Sequence, residues 1–337
     1  MQLTLVVPGL LDLAEREARA MDDAAGAALA RLLAAGAPPV EHDGALGIVC
    51  ASLGIARQRD WPIAPLLARA ANADPGSAYW LLAQPVRLLV GQQDVRLDGV
   101  VDDLSTDEAA ALVAAMNAHF AEDGLRFVGA GPARWLIAVP SAQKLVTHPV
   151  DDALGAPIGA FLPDGPDAAR WRRWQTEMQM LLFAHPVTSQ REKDGRAAPN
   201  GVWLSGGGTD AGPEPRIASL YSDAALLRDL AHACGIASEP APSSFAAWRD
   251  AHPKSAVLVW LPSLDAAAPS AVGALSRDWA DPLLAALDAR AIDELAVVIA
   301  GRGRALSFSP RRRNVLARWR ARLAPSRLST LVAAAAR

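Results

Sequence analysis

Apolar and polar positions along this chain fall into blocks whose period changes. Leu3-Thr4-Leu5-Val6-Val7 is a short apolar run stopped by Pro8-Gly9, which predicts a buried first strand. Asp12 to Leu33 reads as helical, with Gly26 a break, and Ala37-Pro38-Pro39 as a loop. Leu46 to Leu53 suits strand or helix equally. Pro62 stands where a first helical turn tolerates it, so a helix to Ala71 is expected, followed by the turn Asp74-Pro75-Gly76.

The texture then shifts to a period of two. Tyr79 to Val90 and Asp94 to Leu97 flank Gly91-Gln92-Gln93 and predict a hairpin. Ser105-Thr106-Asp107-Glu108 opens a helix to about His119, with a hydroxyl cap and acidic residues in its first turn. Arg126-Phe127-Val128 and Arg134 to Val139 flank Gly129-Ala130-Gly131-Pro132 and predict a second hairpin. Residues 79–140 therefore read β-β-α-β-β, a small α+β domain inserted into a main domain of residues 1–78 and 141–337.

After Pro166, Trp171, Trp174, Met178, Leu181 and Leu182 fall at helical spacing until Pro186 ends the run. Thr188 to Pro199 reads as a polar loop, and Val202-Trp203-Leu204 as a short strand running into Gly206-Gly207-Gly208. Strands at Ile217–Tyr221, Ser255–Leu261, Leu295–Ala300 and Ala305–Ser309 then alternate with helices: Ser222 or Asp223 to Cys234, Ser244 to Asp250, Leu275 to Ala289 and Asn314 to Leu323. Such alternation predicts an α/β fold, a mainly parallel sheet with helices on both faces, joined by the first strand.

Composition narrows the function classes. The 337 residues are 51% hydrophobic, enough for a sizeable core. A net charge of -3 leaves no basic excess for nucleic acid. Arg311, Arg312 and Arg313 form the densest basic spot and read as a solvated helix start. No apolar run reaches membrane-spanning length, and the first residues lack the pattern of a signal peptide, so a cytoplasmic protein is expected. Cys50 and Cys234 have no nearby partner in sequence, and buried reduced thiols are expected.

Chemistry-bearing patterns are sparse. No Walker, GxGxxG, HExxH or GxSxG motif occurs. Gly206-Gly207-Gly208 follows a strand, so its amides are a candidate phosphate cradle beside the blander reading of a strand-end loop. The six histidines are isolated from one another, His148 and His185 each preceding proline. Asp102-Asp103 and Asp151-Asp152 read as loop or cap residues. Ten tryptophans against two tyrosines read mainly as core.

The segment Trp171 to Gly208, WRRWQTEMQMLLFAHPVTSQREKDGRAAPNGVWLSGGG, resembles archaeal-type cofactor-independent phosphoglycerate mutases. It is similar also to bacterial regulatory proteins of the RpfE type. Trp80 to Leu97 and the helix after Leu104-Ser105 share the likeness. The resemblance implies an alkaline-phosphatase-like α/β fold with an inserted domain. It also implies two metal ions, held by Asp and His, that activate a Ser or Thr nucleophile. The chain departs from that pattern at three places. Val7-Pro8-Gly9 stands where the enzymes carry Asp-Gly. Gly301-Arg302-Gly303-Arg304 follows a late strand where they carry Asp-His motifs. Trp61-Pro62-Ile63-Ala64 fills the expected nucleophile region.

Three expectations follow. The first is a non-catalytic regulatory or ligand-binding protein without cofactor, with His185, Arg191, Asn200, Gly206, Gly207, Gly208, Arg302 and Arg304 as candidates for an anionic small molecule. The second is a phosphoryl-transfer enzyme with rearranged zinc or manganese ligands drawn from Asp12, His148, His185 and Asp265. The third is a scaffold whose protein partner meets Trp248, Trp279 and Trp319 on amphipathic helices.

Overall fold

A computed structural model describes residues 1–16, 26–251, 255–264 and 269–312. Two compact units emerge, Met1–Leu53 with Pro215–Arg337, and Gly54–Glu214. The strands in chain order begin with β1 (Gln2–Val7) and β2 (Val40–His42) in the first unit. The second unit holds β3 (Tyr79–Val90), β4 (Val95–Val100), β5 (Arg126–Gly129), β6 (Trp135–Val139) and β7 (Gly201–Gly208). The chain returns to the first unit with β8 (Ser219–Ser222), β9 (Ala237–Glu239), β10 (Ala256–Trp260), β11 (Glu294–Gly301) and β12 (Arg304–Phe308).

The first unit carries a seven-stranded sheet in the order β2-β12-β11-β1-β10-β8-β9. β1 is central: Leu5 lies opposite Val259 of β10 and Val297 of β11, both in parallel register. β8 and β9 extend the parallel part, while β12 and β2 add two antiparallel strands at the other edge. The apolar run of β1 is legible because Leu3, Leu5, Val6 and Val7 are all buried. The fold is thus mixed α/β with a mostly parallel sheet.

Helices refine the expectations. Asp12–Leu33 becomes Leu10–Arg16 and Ala27–Leu33, with residues 17–25 lying outside the described ones, as do Arg313, Asn314–Leu323 and Trp319. Leu46–Leu53, ambiguous in sequence, lies in the helix Ala45–Ser52 up to its C-cap. Leu275–Ala289 begins earlier, at Pro269, and passes through one π turn at Ser276–Ala280. Trp248 and Trp279 are 1% and 3% exposed and belong to the core of this unit, so neither is available to a partner surface.

In the second unit β4-β3-β6-β5 form an antiparallel sheet, and β7 runs antiparallel along the other side of β3. Both predicted hairpins form. Ser105 and Glu108 make a reciprocal capping box, each side chain taking the other's backbone N–H, at the start of Thr106–His119. The long helix Ala168–Ala184 buries Trp171, Trp174, Met178 and Leu182 against this sheet. Boundaries at residues 79 and 140 were expected. The compact unit is wider because β7 pairs with Trp80–Val86 and Ile63–Ala70 packs on both β3 and β7. The expected loop from Thr188 is corrected: Pro186–Lys193 is a helix, started by proline in its first turn and capped by His185. Both cysteines are buried. No helix among the described residues is long and apolar enough to cross a membrane.

Candidate functional site

Open parallel sheets bind ligands beyond the carboxyl ends of their strands. In the first unit those ends are drawn together by backbone bonds. The Leu261 N–H donates to Val6 O and the Leu264 N–H to Pro8 O, both at 3.0 Å, so the exit of β10 is zipped to the exit of β1. Gly9 has φ +77, and a Cβ there would lie 2.7 Å from Leu264 O and 2.9 Å from Ser263 Oγ. Pro8-Gly9 is therefore a tight turn packed on the 263–264 backbone. Its O accepts the Leu13 N–H at 3.0 Å as the helix Leu10–Arg16 begins.

At the exit of β11 the chain turns through Arg302 and Gly303 into β12. Asp12 Oδ1 accepts the Arg302 backbone N–H at 3.1 Å, and a Cβ on Gly301 would sit 2.5 Å from that same oxygen. Arg304 donates from Nε to Glu41 Oε1 at 2.7 Å. Arg302 is exposed. The acidic candidate of this mouth is thus engaged by backbone, and one of its two cationic candidates is paired to a carboxylate. Asp265 lies outside the described residues.

The other candidates belong to the second unit, and each has a local structural task. Arg191 is fully buried. Its Nε donates to Ala197 O at 2.7 Å, and one terminal nitrogen donates to Glu108 Oε2 at 2.9 Å and to Asp103 O at 3.4 Å. The other terminal nitrogen donates to the Asp103 carboxylate. Arg196 completes the clasp on the same two acids. Burial pushes the carboxyls of Asp103 and Glu108 up. The Arg191 and Arg196 guanidiniums, with the Ser105 amide on Glu108, outweigh it and hold both below the usual carboxylate range. Arg191 is therefore a buried knot rather than an anion receptor. Asn200 extends the sheet with its amide: Oδ1 accepts the Leu88 N–H at 2.7 Å and Nδ2 donates to Leu88 O at 2.9 Å.

Gly206, Gly207 and Gly208 end β7 rather than forming a loop after it, and all three are buried. A Cβ on Gly206, whose φ is +65, would lie 2.3 Å from Ile63 Cγ1. On Gly207 it would lie 2.3 Å from Tyr79 Oη, and on Gly208 2.5 Å from Pro62 Cβ. The triplet admits the close approach of neighbouring chain and irregular pairing with β3. His185 Nδ1 accepts the Val187 N–H at 3.2 Å as a helix cap. Burial pulls its pKa below the ordinary histidine value, in keeping with a neutral acceptor. His148 meets Phe161 edge-on at 5.6 Å between ring centroids, and its carbonyl accepts from Trp203 Nε1 at 2.8 Å.

One buried acid gave no sequence signal. Asp60 is 6% exposed, and its carboxylate accepts the Thr147 N–H, the Thr147 hydroxyl and the Gly207 N–H. Desolvation raises its pKa, with the hydrogen bonds from Thr147 and Gly207 pulling the other way. Asp60→Ala leaves three buried donors without an acceptor and is expected to lower stability by roughly 1–3 kcal/mol. Urea denaturation of the two proteins checks this, and coincident midpoints would contradict it.

The donor set can be tested against the two-metal centre that the resemblance implies. Proline and glycine occupy the exit of β1, and glycine and arginine the exit of β11. Asp12 already accepts from a backbone amide, His185 Nδ1 caps a helix, and His148 packs edge-on against Phe161. Among the described residues no group of three or more His, Cys, Asp or Glu comes together as a metal site. These residues do not fit a pair of divalent ions.

No known protein-family profile matches the chain. Sequence comparison finds the 2,3-bisphosphoglycerate-independent phosphoglycerate mutase of Methanothrix thermoacetophila, 29% identical over 153 residues, which are 42% of this chain and 38% of that one. The enzyme of the same description from Methanosarcina mazei is 27% identical over 107 residues, 31% of this chain and 27% of its own. The matched stretches thus span well under half of those relatives' lengths. Among solved structures, the cofactor-independent phosphoglycerate mutase of Thermoplasma acidophilum covers 92% of this chain and 89% of its own, with TM-score 0.42 and 15% identity. A Pyrococcus horikoshii protein covers 91% and 87%, with TM-score 0.45 and 14% identity. Over part of its length, then, the chain is similar in sequence to archaeal cofactor-independent phosphoglycerate mutases.

Proposed function

We propose that this chain is a non-catalytic relative of the cofactor-independent phosphoglycerate mutases. In this reading it uses the mutase-like fold as a regulatory or ligand-binding protein of the RpfE type. One observation carries the reading. At the exits of β1 and β11, Pro8-Gly9 and Gly301-Arg302-Gly303 stand where the resemblance calls for acidic ligands, and Asp12 beside them is bonded to the Arg302 amide. Phosphoryl transfer through two metals needs several anionic ligands to hold the ions while they neutralise the reacting phosphoryl group. A mouth with an exposed arginine and an engaged aspartate offers the opposite charge pattern.

The same pattern favours an anionic small molecule as ligand, with Arg302 its first contact. Arg191, Asn200 and the glycine triplet leave that role because their polar groups or space are committed. The test is a coupled assay converting 3-phosphoglycerate to 2-phosphoglycerate with manganese, zinc or magnesium supplied. The expected result is no turnover above the protein-free control. Turnover proportional to protein concentration, and lost with a chelator, refutes the non-catalytic reading.

A further inference from the structure

We infer that Asp12 is a backbone clasp, a positioning residue that fixes the turn after β11 and so holds the segment carrying Arg302, instead of a ligand for a divalent ion. The inference goes beyond the proposed lack of catalysis, because it assigns this carboxylate a task of its own. The Asp12 side chain arises in the first turn of Leu10–Arg16, immediately after the Pro8-Gly9 turn. Its Oδ1 accepts the Arg302 N–H at 3.1 Å across 290 residues of sequence. The turn is shaped to receive it: a Cβ on Gly301 would lie 2.5 Å from Asp12 Oδ1, 3.0 Å from Cγ and 3.2 Å from the Asp12 backbone N. Only a residue without a side chain lets the β11 exit approach a carboxylate this closely. Gly303, with φ +63, then turns the chain back into β12.

The clasp needs an acceptor oxygen and no charge, whereas a metal ligand needs the anion. Asp12→Asn and Asp12→Ala separate the two. The full-length protein and both variants are compared by hydrogen exchange across residues 299–306 and by thermal unfolding, each with manganese or EDTA. The Arg302 amide is expected to exchange about tenfold faster in Asp12→Ala, the effect of losing roughly one hydrogen bond. Asp12→Asn should keep most of the protection, and manganese should leave the melting temperature of all three unchanged.

Unchanged exchange in Asp12→Ala overturns the clasp. Equal loss in both variants overturns a neutral acceptor role. A manganese-dependent rise in melting temperature that vanishes in Asp12→Asn assigns the carboxylate to a metal and overturns the inference outright. A manganese effect that survives Asp12→Asn leaves the clasp standing and counts against the non-catalytic reading alone.

Discussion

Gly206→Ala is expected to destabilise the second unit by about 2–4 kcal/mol, the sum of a left-handed backbone imposed on an L-residue and an overfilled core. The Cβ would fall 2.3 Å from Ile63 Cγ1 and 2.9 Å from Cδ1. Ile63 is 1% exposed and begins the helix Ile63–Ala70, so it has little room to retreat. With φ at +65, the backbone cost remains even if the isoleucine yields. This result separates two readings of the triplet. A phosphate cradle would lose ligand affinity on substitution and lose no more stability than the left-handed backbone costs, about 1–2 kcal/mol. A strand end packed on helix and neighbouring strand loses stability whether or not a ligand is present. A lowered urea midpoint without ligand is the predicted outcome, and an unchanged midpoint contradicts the packing account.

The second large effect is expected at Arg191. Arg191→Met removes a 1% exposed guanidinium that serves Asp103, Glu108 and the Ala197 carbonyl together. Breaking one side of a buried ion pair costs about 3–5 kcal/mol. The lower figure is the expectation here, because Asp103 is half-exposed and keeps Arg196. The same clasp sets a pH dependence. Asp103 and Glu108 have folded-state pKa values below those of the unfolded chain. Their contribution is therefore complete above the unfolded carboxylate range, near pH 4–5, and is lost as pH falls through the lowered folded values. Acid unfolding of the wild type should show this loss, and Arg191→Met should flatten it. Parallel pH profiles for the two proteins would count against the clasp as its source.

Much of the architecture was legible because hydrophobic pattern and chain exits agree. β1 announced itself by an apolar run ended at Pro8-Gly9, and Ser105 with Glu108 announced a helix start. The misreadings share a physical cause, since tertiary partners override local composition. Pro186–Lys193 is polar along its length, so no apolar stripe marks it; it is held by the His185 cap and the burial of Arg191. Glycine is disfavoured inside strands, so three in succession read as a loop until Ile63, Tyr79 and Pro62 are seen to fill the space that side chains would take. The three-residue strands β2 and β9 are too short to carry a period.

The candidate site was legible only by contrast. The resemblance implies acids at Pro8-Gly9 and Gly301-Arg302, and the sequence supplies none there, since proline and glycine bring no side-chain ligand atom. It could not show where Asp12 points, since its partner lies 290 residues away. Nor could it mark Asp60, whose burial depends on Thr147 and Gly207 from distant parts of the chain.

The central claim is that these strand ends do not hold a pair of divalent ions. Its most direct test is metal stoichiometry: the full-length protein is incubated with manganese or zinc, desalted, and measured by plasma mass spectrometry. The account predicts well under one ion per chain for either metal. Retention of two ions per chain would contradict it.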